Sequence, residues 1–404
     1  MRIALATAGT TGDVLPFAAL ARALVDAGHT VTAVSWPVHR ELLTVPGGRF
    51  VAAGPHTTTE AIGATAERAA AERNPMRQVE VLRDFHLEGA AAHYRTLLAT
   101  LDGHDLVVLH GAYSLAHAAA LDLDARWTSA VFDPVLLPTA SAPPAGMPSL
   151  GPLNRVAWWM LDRILARTGG PLDAALAEAG SPQRGLPLFR ARSPLLHLVA
   201  CSPLIIRVPP DLPPTTHITG AWTSPGPPRP LPPEVEGFIG AGEPPIVVTF
   251  GSMAGSDLPA VLAATDRLAA GGRRVVLDGA DATTDRPGSL AVRGLDHRAL
   301  FPRASLVVHH GGAGTTHTAC AAGVPSVVVP HIGDQPYWAD RIRRVGVGPP
   351  PVGARALTPE RLVTAIELAR TDPAMRERAR ELGRRLRGED GIGAAVELIE
   401  SAAG

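Results

Sequence analysis

Short apolar runs rich in β-branched residues alternate with helical patterns along most of this 404-residue chain. The opening shows the pattern clearly: residues 3–7 read as a strand, residues 8–13 as a glycine-containing turn, residues 14–27 as an amphipathic helix, and residues 30–35 as the next strand. A strand–helix–strand repeat of this kind places its strands parallel, and parallel sheets bind ligands beyond the carboxyl ends of the strands. The alternation therefore predicts an α/β fold built from doubly wound parallel sheets.

A proline-rich segment interrupts this alternation near the middle of the chain. Residues 207–233 contain ten prolines, which leave little room for a helix or a central strand. A second strand–helix alternation begins at residue 246. Because 404 residues are too many for one hydrophobic core, we predict an N-terminal domain over 1–206, a linker over 207–233 and a C-terminal domain over 234–385. Two doubly wound domains of this kind are expected to face a cleft.

Composition excludes several classes of function. The net charge is −1 and all 37 basic residues are arginine, so neither a basic nucleic-acid surface nor lysine chemistry such as a Schiff base is indicated. The cysteines, Cys201 and Cys320, lie far apart and suit buried fillers in a reducing compartment. No apolar run reaches the length of a membrane span, and no secretory signal is visible. We expect a cytoplasmic protein, and oligomeric state is left open.

Residues 307–316, Val-Val-His-His-Gly-Gly-Ala-Gly-Thr-Thr, have the pattern of an anion-binding turn. An apolar strand leads into two histidines, then into small residues, and then into the start of an Ala-rich helix. Glycine lets the backbone approach a ligand closely, and the first N–H groups of a helix have no partners within the helix. The imidazole of His310 at the rim of this turn is placed to donate to a phosphate.

A dinucleotide-binding domain is the obvious competing interpretation, and the glycine spacing disfavours it. Gly9-x-x-Gly12 lacks the G-x-G-x-x-G spacing, and the second strand ends in Ser35-Trp36 without a carboxylate for a ribose. The later turn has His317 where the third glycine would stand. Binding of NAD is therefore not predicted.

Three segments together resemble the GT-B glycosyltransferases of family 1, in the bacterial branch that includes antibiotic-tailoring and sterol-type glucosyltransferases. Residues 9–16 are similar to the G-T-R-G-D-V-x-P loop of that branch, with Thr11 in place of arginine. Residues 249–253 are similar to its F-G-S-M turn. Residues 309–336 match its donor-binding signature, including an Asp-Gln pair 24 and 25 residues after His310.

The resemblance implies two Rossmann-like domains, with the sugar donor on the C-terminal one and the acceptor on the N-terminal one. A C-terminal helix over 386–404 is then expected to pack back on the N-terminal domain. The implied chemistry is inverting transfer of a hexose or deoxyhexose from a UDP- or dTDP-sugar to a hydroxyl of a hydrophobic small molecule. The resemblance implies no metal. It implies no cofactor either, because the nucleotide-diphospho-sugar is a substrate.

The same resemblance implies roles for individual residues. Asp13 is the candidate base, although an aspartate at this position also suits a helix cap. The Trp158–Trp159 pair is either an acceptor wall or part of an ordinary buried helix. The other implied sites are these: diphosphate at Ser252, His310, Gly312, Gly314 and Thr315; sugar at Asp334 and Gln335; nucleoside at Gly294, Leu295 and Asp296.

Two other functions remain open at this stage. A transferase that builds a lipid-linked or cell-wall glycan would use the Trp158–Trp159 face against a membrane surface. A non-catalytic GT-B-like subunit would activate another transferase and would have no need for Asp13, His310 and the Asp334–Gln335 pair together. Binding of UDP or dTDP distinguishes this second function from an enzyme.

Overall fold

The computed structural model describes residues 1–135, 137–141, 144, 150–224, 226–250, 258–279 and 287–403. The chain forms two compact units, Met1–Pro225 together with Asp390–Gly404, and Gly226–Glu389. The division falls inside the segment 207–233 that we predicted to be a linker.

The first unit is a seven-stranded parallel sheet with helices between the strands. Its sheet order is β3-β2-β1-β4-β5-β6-β7. The strands are β1 (Arg2–Ala6), β2 (Thr30–Ser35), β3 (Arg49–Ala52), β4 (Leu106–His110), β5 (Trp127–Val131), β6 (His197–Val199) and β7 (Thr216–Ile218). The helices are α1 (Thr11–Asp26), α2 (Arg40–Leu43), α3 (Thr59–Ala71), α4 (Pro75–His86), α5 (Ala90–Leu101), α6 (Ser114–Asp122), α7 (Asn154–Thr168) and α8 (Gly170–Glu178).

The second unit is a five-stranded parallel sheet in the order β10-β9-β8-β11-β12. Its strands are β8 (Ile246–Thr249), β9 (Val275–Asp278), β10 (Ser289–Val292), β11 (Leu306–His309) and β12 (Ser326–Val328). Its helices are α9 (Pro233–Gly240), α10 (Leu258–Ala270), α11 (His297–Leu300), α12 (Ala313–Ala322), α13 (Gln335–Arg344), α14 (Pro359–Thr371) and α15 (Pro373–Leu386).

The last helix, α16 (Gly391–Ala403), belongs to the first unit although it is last in the chain. It packs against α1. Its Glu400 Oε1 lies 2.9 Å from Nε2 of His29 at the end of the α1–β2 turn. A Cβ at Gly391 would lie 2.6 Å from the carbonyl oxygen of Ala221, so the start of α16 touches the backbone that follows β7.

Burial explains why the central strands could be recognised from the sequence. All five residues of β4 and all four of β8 are buried. A parallel sheet covered by helices on both faces requires such continuous apolar runs. The predicted strand at 30–35 is found as β2, and the fold-class prediction of doubly wound parallel sheets is confirmed.

Two edge strands were not predicted. β3 has an exposed or half-buried residue at every position, and β7 has only three residues and lies among the prolines of 207–233. Edge strands need only one ladder of hydrogen bonds and one buried face, so their sequences carry a weaker apolar signal.

The strand orders place one topological switch point in each sheet. In the first sheet the order reverses between β1 and β4, and in the second between β8 and β11. Ligands of open parallel sheets bind outside the carboxyl ends of strands at such points. The segments that follow β1, β4 and β11 are therefore where functional groups are expected. None of the helices in the described part of the chain is long and apolar enough to cross a membrane.

Candidate active site

The two carboxylate oxygens of Asp13 have different surroundings. Oδ2 accepts hydrogen bonds from the backbone N–H and from the hydroxyl of Thr10, each at 2.8 Å. This is one half of a capping arrangement at the start of α1. Oδ1 faces Nε2 of His110 at 3.9 Å, and the Asp13 side chain is 33 % exposed. The aspartate therefore closes the helix start with one oxygen and presents the other outside the carboxyl ends of β1 and β4.

Gly9 is required by the close approach of this carboxylate. Its φ is +121°, in the region that favours glycine. A Cβ built at this position would lie 2.5 Å from Oδ2 of Asp13. A side chain at position 9 would thus displace the carboxylate, so the glycine of the turn fixes where Asp13 can lie.

His110 is the last residue of β4 and is held in a ring of aromatic side chains. It stacks on Phe132 with ring centroids 5.1 Å apart, and Phe17 meets it edge-on at 6.0 Å. Burial lowers the pKa of His110, and the negative charge of Asp13 opposes that shift without cancelling it. The imidazole beside Asp13 is therefore neutral near pH 7.

Two further histidines feel the charge of Asp13. Burial lowers the pKa of His39, and it lowers the pKa of His86 to about 4, with Asp13 opposing both shifts. Both rings pack on Trp36, at centroid distances of 5.8 Å and 5.0 Å. All three histidines that respond to the charge of Asp13 are therefore neutral near pH 7. These three histidines were not predicted from the sequence, although the position of His110 at the end of a buried strand could have indicated a functional role.

The glycine turn of the second unit follows β11 directly. His309 is fully buried, and its Nδ1 accepts a hydrogen bond of 3.1 Å from the backbone N–H of Gly311. Burial lowers the pKa of His309 to about 3, with His310 and His297 contributing. His309 is thus a neutral residue that holds the shape of the turn.

His310 lies over the first residues of α12. Its Nε2 would be 2.6 Å from a Cβ at Gly312, so only glycine leaves room for the imidazole there. Gly312 is the N-cap of α12, Gly314 is exposed, and Thr315 is half-buried. Burial lowers the pKa of His310 to about 4, and His331 and His297 lower it further. The turn therefore combines backbone N–H groups at a helix start with a neutral imidazole.

The Asp334–Gln335 pair lies at the start of α13. Asp334 is the N-cap residue, but its Oδ2 accepts from Nε1 of Trp338 at 2.6 Å rather than from a backbone N–H. Oε1 of Gln335 accepts from the backbone N–H groups of His331 and Ile332, at 2.8 Å and 3.2 Å. One carboxylate oxygen and the amide oxygen thus orient the pair through the protein itself.

The residues predicted for the nucleoside lie between β10 and α11. Gly294 has φ +71°, Leu295 is buried, and Asp296 caps α11 by accepting from the N–H of Arg298 at 2.9 Å. The pKa of Asp296 is lowered, because hydrogen bonds from Arg298 and from the backbone of Arg229 outweigh the opposing effect of burial. The Asp296 side chain therefore stabilises the local structure. The backbone of this segment is what remains to contact a nucleoside.

A histidine–aspartate pair that was not predicted from the sequence lies beside this segment. Nε2 of His297 lies 2.8 Å from Oδ2 of Asp278, the last residue of β9. The His297 ring stacks on Phe301 with centroids 4.4 Å apart. Asp278 is buried at a strand end, the same placement that His110 has in the first unit.

The two tryptophans of α7 have different environments. Trp158 is 3 % exposed, and the guanidinium of Arg190 lies 5.3 Å from its ring centroid. Trp159 is 58 % exposed and lines a surface cavity of the first unit. Trp158 is therefore an ordinary core residue, and only Trp159 is in a position to touch a ligand.

Ser252 lies outside the described residues, which end at 250 and resume at 258. Asp122 of the Asp122-Leu123-Asp124 sequence accepts from Ser181 at 2.6 Å and from the amide of Gln183 at 2.7 Å, so it ties the end of α6 to the loop after α8. Within the described ranges, no group of three His, Cys, Asp or Glu side chains is arranged to hold a metal ion.

Comparison with known proteins adds independent information. Residues 275–389 match the family model of the erythromycin biosynthesis protein CIII-like C-terminal domain. The chain is 34 % identical to the O-mycaminosyltylonolide 6-deoxyallosyltransferase of Streptomyces fradiae, over 99 % of this chain and 97 % of the relative. It is also 34 % identical to the vancomycin aglycone glucosyltransferase of Amycolatopsis orientalis, over 93 % of this chain and 95 % of the relative.

Solved structures agree at the level of the fold. The glycosyltransferase of kitacinnamycin superposes with a TM-score of 0.75 at 21 % identity, covering 100 % of this chain and 99 % of that one. The calicheamicin glycosyltransferase CalG4 superposes with a TM-score of 0.70 at 20 % identity, covering 99 % and 97 %. With relatives of this identity along nearly its whole length, the chain belongs to the GT-B glycosyltransferases that include the antibiotic-tailoring enzymes.

Proposed function

We propose that this glycosyltransferase moves a hexose or deoxyhexose from a UDP- or dTDP-sugar to a hydroxyl of a hydrophobic small molecule, with inversion and without a metal. The observation that carries the proposal is that the two oxygens of the Asp13 carboxylate have different surroundings. One oxygen is fixed by Thr10, and the other faces away from the helix in a partly exposed position among neutral histidines. A carboxylate held in this way is oriented to accept a proton.

In the proposed reaction, Asp13 accepts the proton of the acceptor hydroxyl while that oxygen forms a bond to the anomeric carbon. The bond from the anomeric carbon to the diphosphate oxygen breaks, and its electron pair leaves with the nucleoside diphosphate. A single displacement of this kind inverts the anomeric configuration. No covalent intermediate with the protein is needed.

The departing diphosphate gains negative charge, and the start of α12 can stabilise it. The N–H groups of Gly312, Gly314 and Thr315 and the positive end of the helix dipole favour an anion there. His310 adds a neutral N–H donor. Asp334 and Gln335 are proposed to hold sugar hydroxyls, as the resemblance of residues 309–336 to the donor-binding signature implies.

The nature of the donor is supported by names of related proteins. Two of the relatives at 34 % identity are named for transfer of 6-deoxyallose and of glucose. A structural neighbour, the Streptomyces glycosyltransferase SsfS6, was crystallised with thymidine diphosphate. These names favour dTDP-deoxyhexoses and UDP- or dTDP-glucose as the first donors to examine.

The test is a screen of UDP- and dTDP-sugars against aromatic and polycyclic alcohols, read by mass spectrometry. We expect a mass increase of one sugar residue for at least one pair. Proton NMR of that product is expected to show the anomeric configuration opposite to the donor, and turnover is expected to persist in EDTA. A product with retained configuration, or activity that EDTA abolishes, would reject the proposed mechanism. If neither UDP nor dTDP binds in isothermal titration, the non-catalytic alternative is supported instead.

Replacement of His310 by alanine is expected to weaken binding of the nucleoside diphosphate by about tenfold and also to lower kcat. A lost neutral hydrogen bond has a net effect of about 0.5–1.5 kcal/mol, and its effect grows as charge develops on the leaving group. Isothermal titration with UDP and dTDP measures the first effect, and steady-state kinetics the second.

Two matched variants make this test specific. His310→Gln keeps an N–H donor and is expected to recover part of the affinity, whereas His56→Ala, at an exposed position in the first unit, is expected to change nothing. An unaltered nucleotide affinity in His310→Ala would remove His310 from the diphosphate site.

A second function is favoured by one feature of α7. Its exposed face carries Val156, Trp159, Met160 and Ile164, and the arginines of this helix are exposed as well. An amphipathic helix with this composition suits an anionic membrane surface and hence a lipid-linked acceptor. Sedimentation with phosphatidylglycerol vesicles decides between the two acceptors, because a transferase for free small molecules is expected to remain in the supernatant.

A further inference from the structure

An open cavity of about 430 Å³ lies in the first unit, between α7, the segment 185–192 and the strands β5 and β6. This volume is within the range of small-molecule sites. Trp159 and Phe189 supply aromatic surface to its wall, and Val131 supplies aliphatic surface. Of the residues predicted for the donor, none that the structure describes lines it.

The backbone connects this cavity to the candidate base. The N–H of Ala191, which lines the cavity, donates to the carbonyl of Gly111 at 2.7 Å. Gly111 follows His110, whose Nε2 lies 3.9 Å from Oδ1 of Asp13. Val131 is the neighbour of Ala130, which pairs with His110 across β4 and β5. Because adjacent strands are about 4.8 Å apart, the backbone that borders the cavity lies one strand away from the backbone of His110.

The charges that line the cavity do not balance. Arg163, Arg190 and Arg192 are set against a single carboxylate, that of Asp162. His117 and His197 also line it, but burial lowers their pKa values to about 4 and about 3, so both are neutral near pH 7. The lining therefore carries a net excess of positive charge.

Asp162 is already engaged with the most buried of the three arginines. The Arg190 side chain is 9 % exposed and forms an ion pair with Asp162. Burial lowers the pKa of Arg190, Asp162 opposes the shift, and the positive charge of Arg192 adds to it, so Arg190 and Arg192 are close enough to repel each other. An anion near Arg192 would relieve this repulsion.

The other two arginines are available to a ligand. The guanidinium of Arg163 lies 5.1 Å from the ring centroid of Trp159. Within the described ranges, neither Arg163 nor Arg192 forms an ion pair with a carboxylate. A concave surface with unpaired charges of one sign attracts a ligand of the opposite sign, and guanidinium groups bind carboxylates with paired hydrogen bonds.

We propose that this cavity binds a molecule that joins an aromatic or polycyclic body to a negatively charged group, and that Arg163 and Arg192 hold that charge. Its identification as the acceptor of glycosyl transfer rests on the function proposed above. The aromatic body lies against Trp159 and Phe189, and the hydroxyl that receives the sugar points toward Asp13. The acceptor is thereby assigned to acidic hydroxy compounds rather than to neutral ones.

The test compares 6-hydroxy-2-naphthoate with its methyl ester, which has the same ring system and hydroxyl but carries an added methyl group and no charge. Binding to the full-length protein is measured by isothermal titration without donor at low ionic strength. We expect the acid to bind at least about tenfold more tightly than the ester, as a charge-assisted hydrogen bond implies. Equal binding of the two probes would overturn the proposal.

Variants locate the preference within the cavity. Arg192→Gln and Arg163→Gln are each expected to reduce it several-fold, whereas Arg192→Lys retains the charge and most of the preference. Arg167→Gln removes the same charge from the same helix at a position that does not line the cavity, and it is expected to leave the preference intact. A preference that survives the double variant Arg163→Gln, Arg192→Gln would place the anion elsewhere and reject the proposal. Circular dichroism confirms that each variant is folded.

Transfer assays with the same two probes separate this inference from the proposed function. Preferential binding of the acid without transfer to either probe would support the cavity assignment and count against its role as acceptor site. Transfer to both probes with equal affinity would support the enzyme and reject the anionic subsite.

Discussion

Asp13→Asn is expected to lower kcat by about 10²–10⁴-fold and to leave the affinity for the nucleotide nearly unchanged. An asparagine side chain keeps an oxygen that can accept from the backbone N–H and the hydroxyl of Thr10, so the start of α1 should remain closed. What it loses is the ability to take a proton. The variant therefore removes the proposed chemistry without removing the local structure.

Steady-state kinetics and isothermal titration with UDP or dTDP measure the two halves of this prediction. Asp26→Asn is a suitable control, since Asp26 is the exposed last residue of the same helix and pairs with Arg22 at 2.9 Å. It is expected to turn over like the unmodified enzyme. Near-normal kcat in Asp13→Asn, with the helix intact by circular dichroism, would sink the assignment of the base.

The protein is expected to lose most of its stability between pH 6.5 and pH 4. Seven histidines have pKa values that burial lowers to about 3 or about 4: His86, His93, His117, His197, His309, His310 and His317. In the unfolded chain each takes up a proton near pH 6.5. Unfolding therefore binds protons, and the free energy of unfolding falls as the pH drops from 6.5 toward 4.

The size of this effect follows from linkage. Each such histidine reduces the free energy of unfolding by about 1.4 kcal/mol per pH unit inside this window. Several of them together would cost about as much as the whole stability of a typical domain, which is about 5–15 kcal/mol. Acid unfolding is thus expected near pH 5. Three of the seven histidines lie in the second unit and four in the first.

Urea unfolding at pH 7.5, 6.0 and 5.0 measures this dependence. His317→Gln removes one of the titrating groups and is expected to make the dependence shallower by about one proton. A free energy of unfolding that stays constant from pH 7.5 to pH 5.0 would contradict the neutral state assigned to these histidines.

Several features of the site followed from the sequence because they depend on the local chain. A strand end, a glycine turn and a helix start are consecutive at 306–316, so this strand–turn–helix segment could be recognised before the fold was known. The position of Asp13 at the start of α1 has the same origin. In both cases the relevant contacts, such as Thr10 to Asp13 or Gly311 to His309, join residues two or three positions apart.

Other features depend on contacts between distant parts of the chain. The sequence gives no sign that His110 would stand beside Asp13, because their approach results from the pairing of β1 with β4. Adjacent tryptophans in α7 have opposite exposures because only one face of that helix meets the protein interior. The edge strand β7 forms within a proline-rich segment because it pairs in parallel with the backbone of β6.

The sequence by itself determined the doubly wound parallel sheets, the two glycine turns and the identity of the residues in them, since apolar periodicity and turn chemistry are local properties. Only the tertiary structure decided which charges meet. It set neutral histidines around Asp13 and gathered Arg163, Arg190 and Arg192 from α7 and the segment before β6 into one cavity. The physical reason is that pKa values and charge balance depend on burial and on neighbours across the fold, which no local pattern encodes.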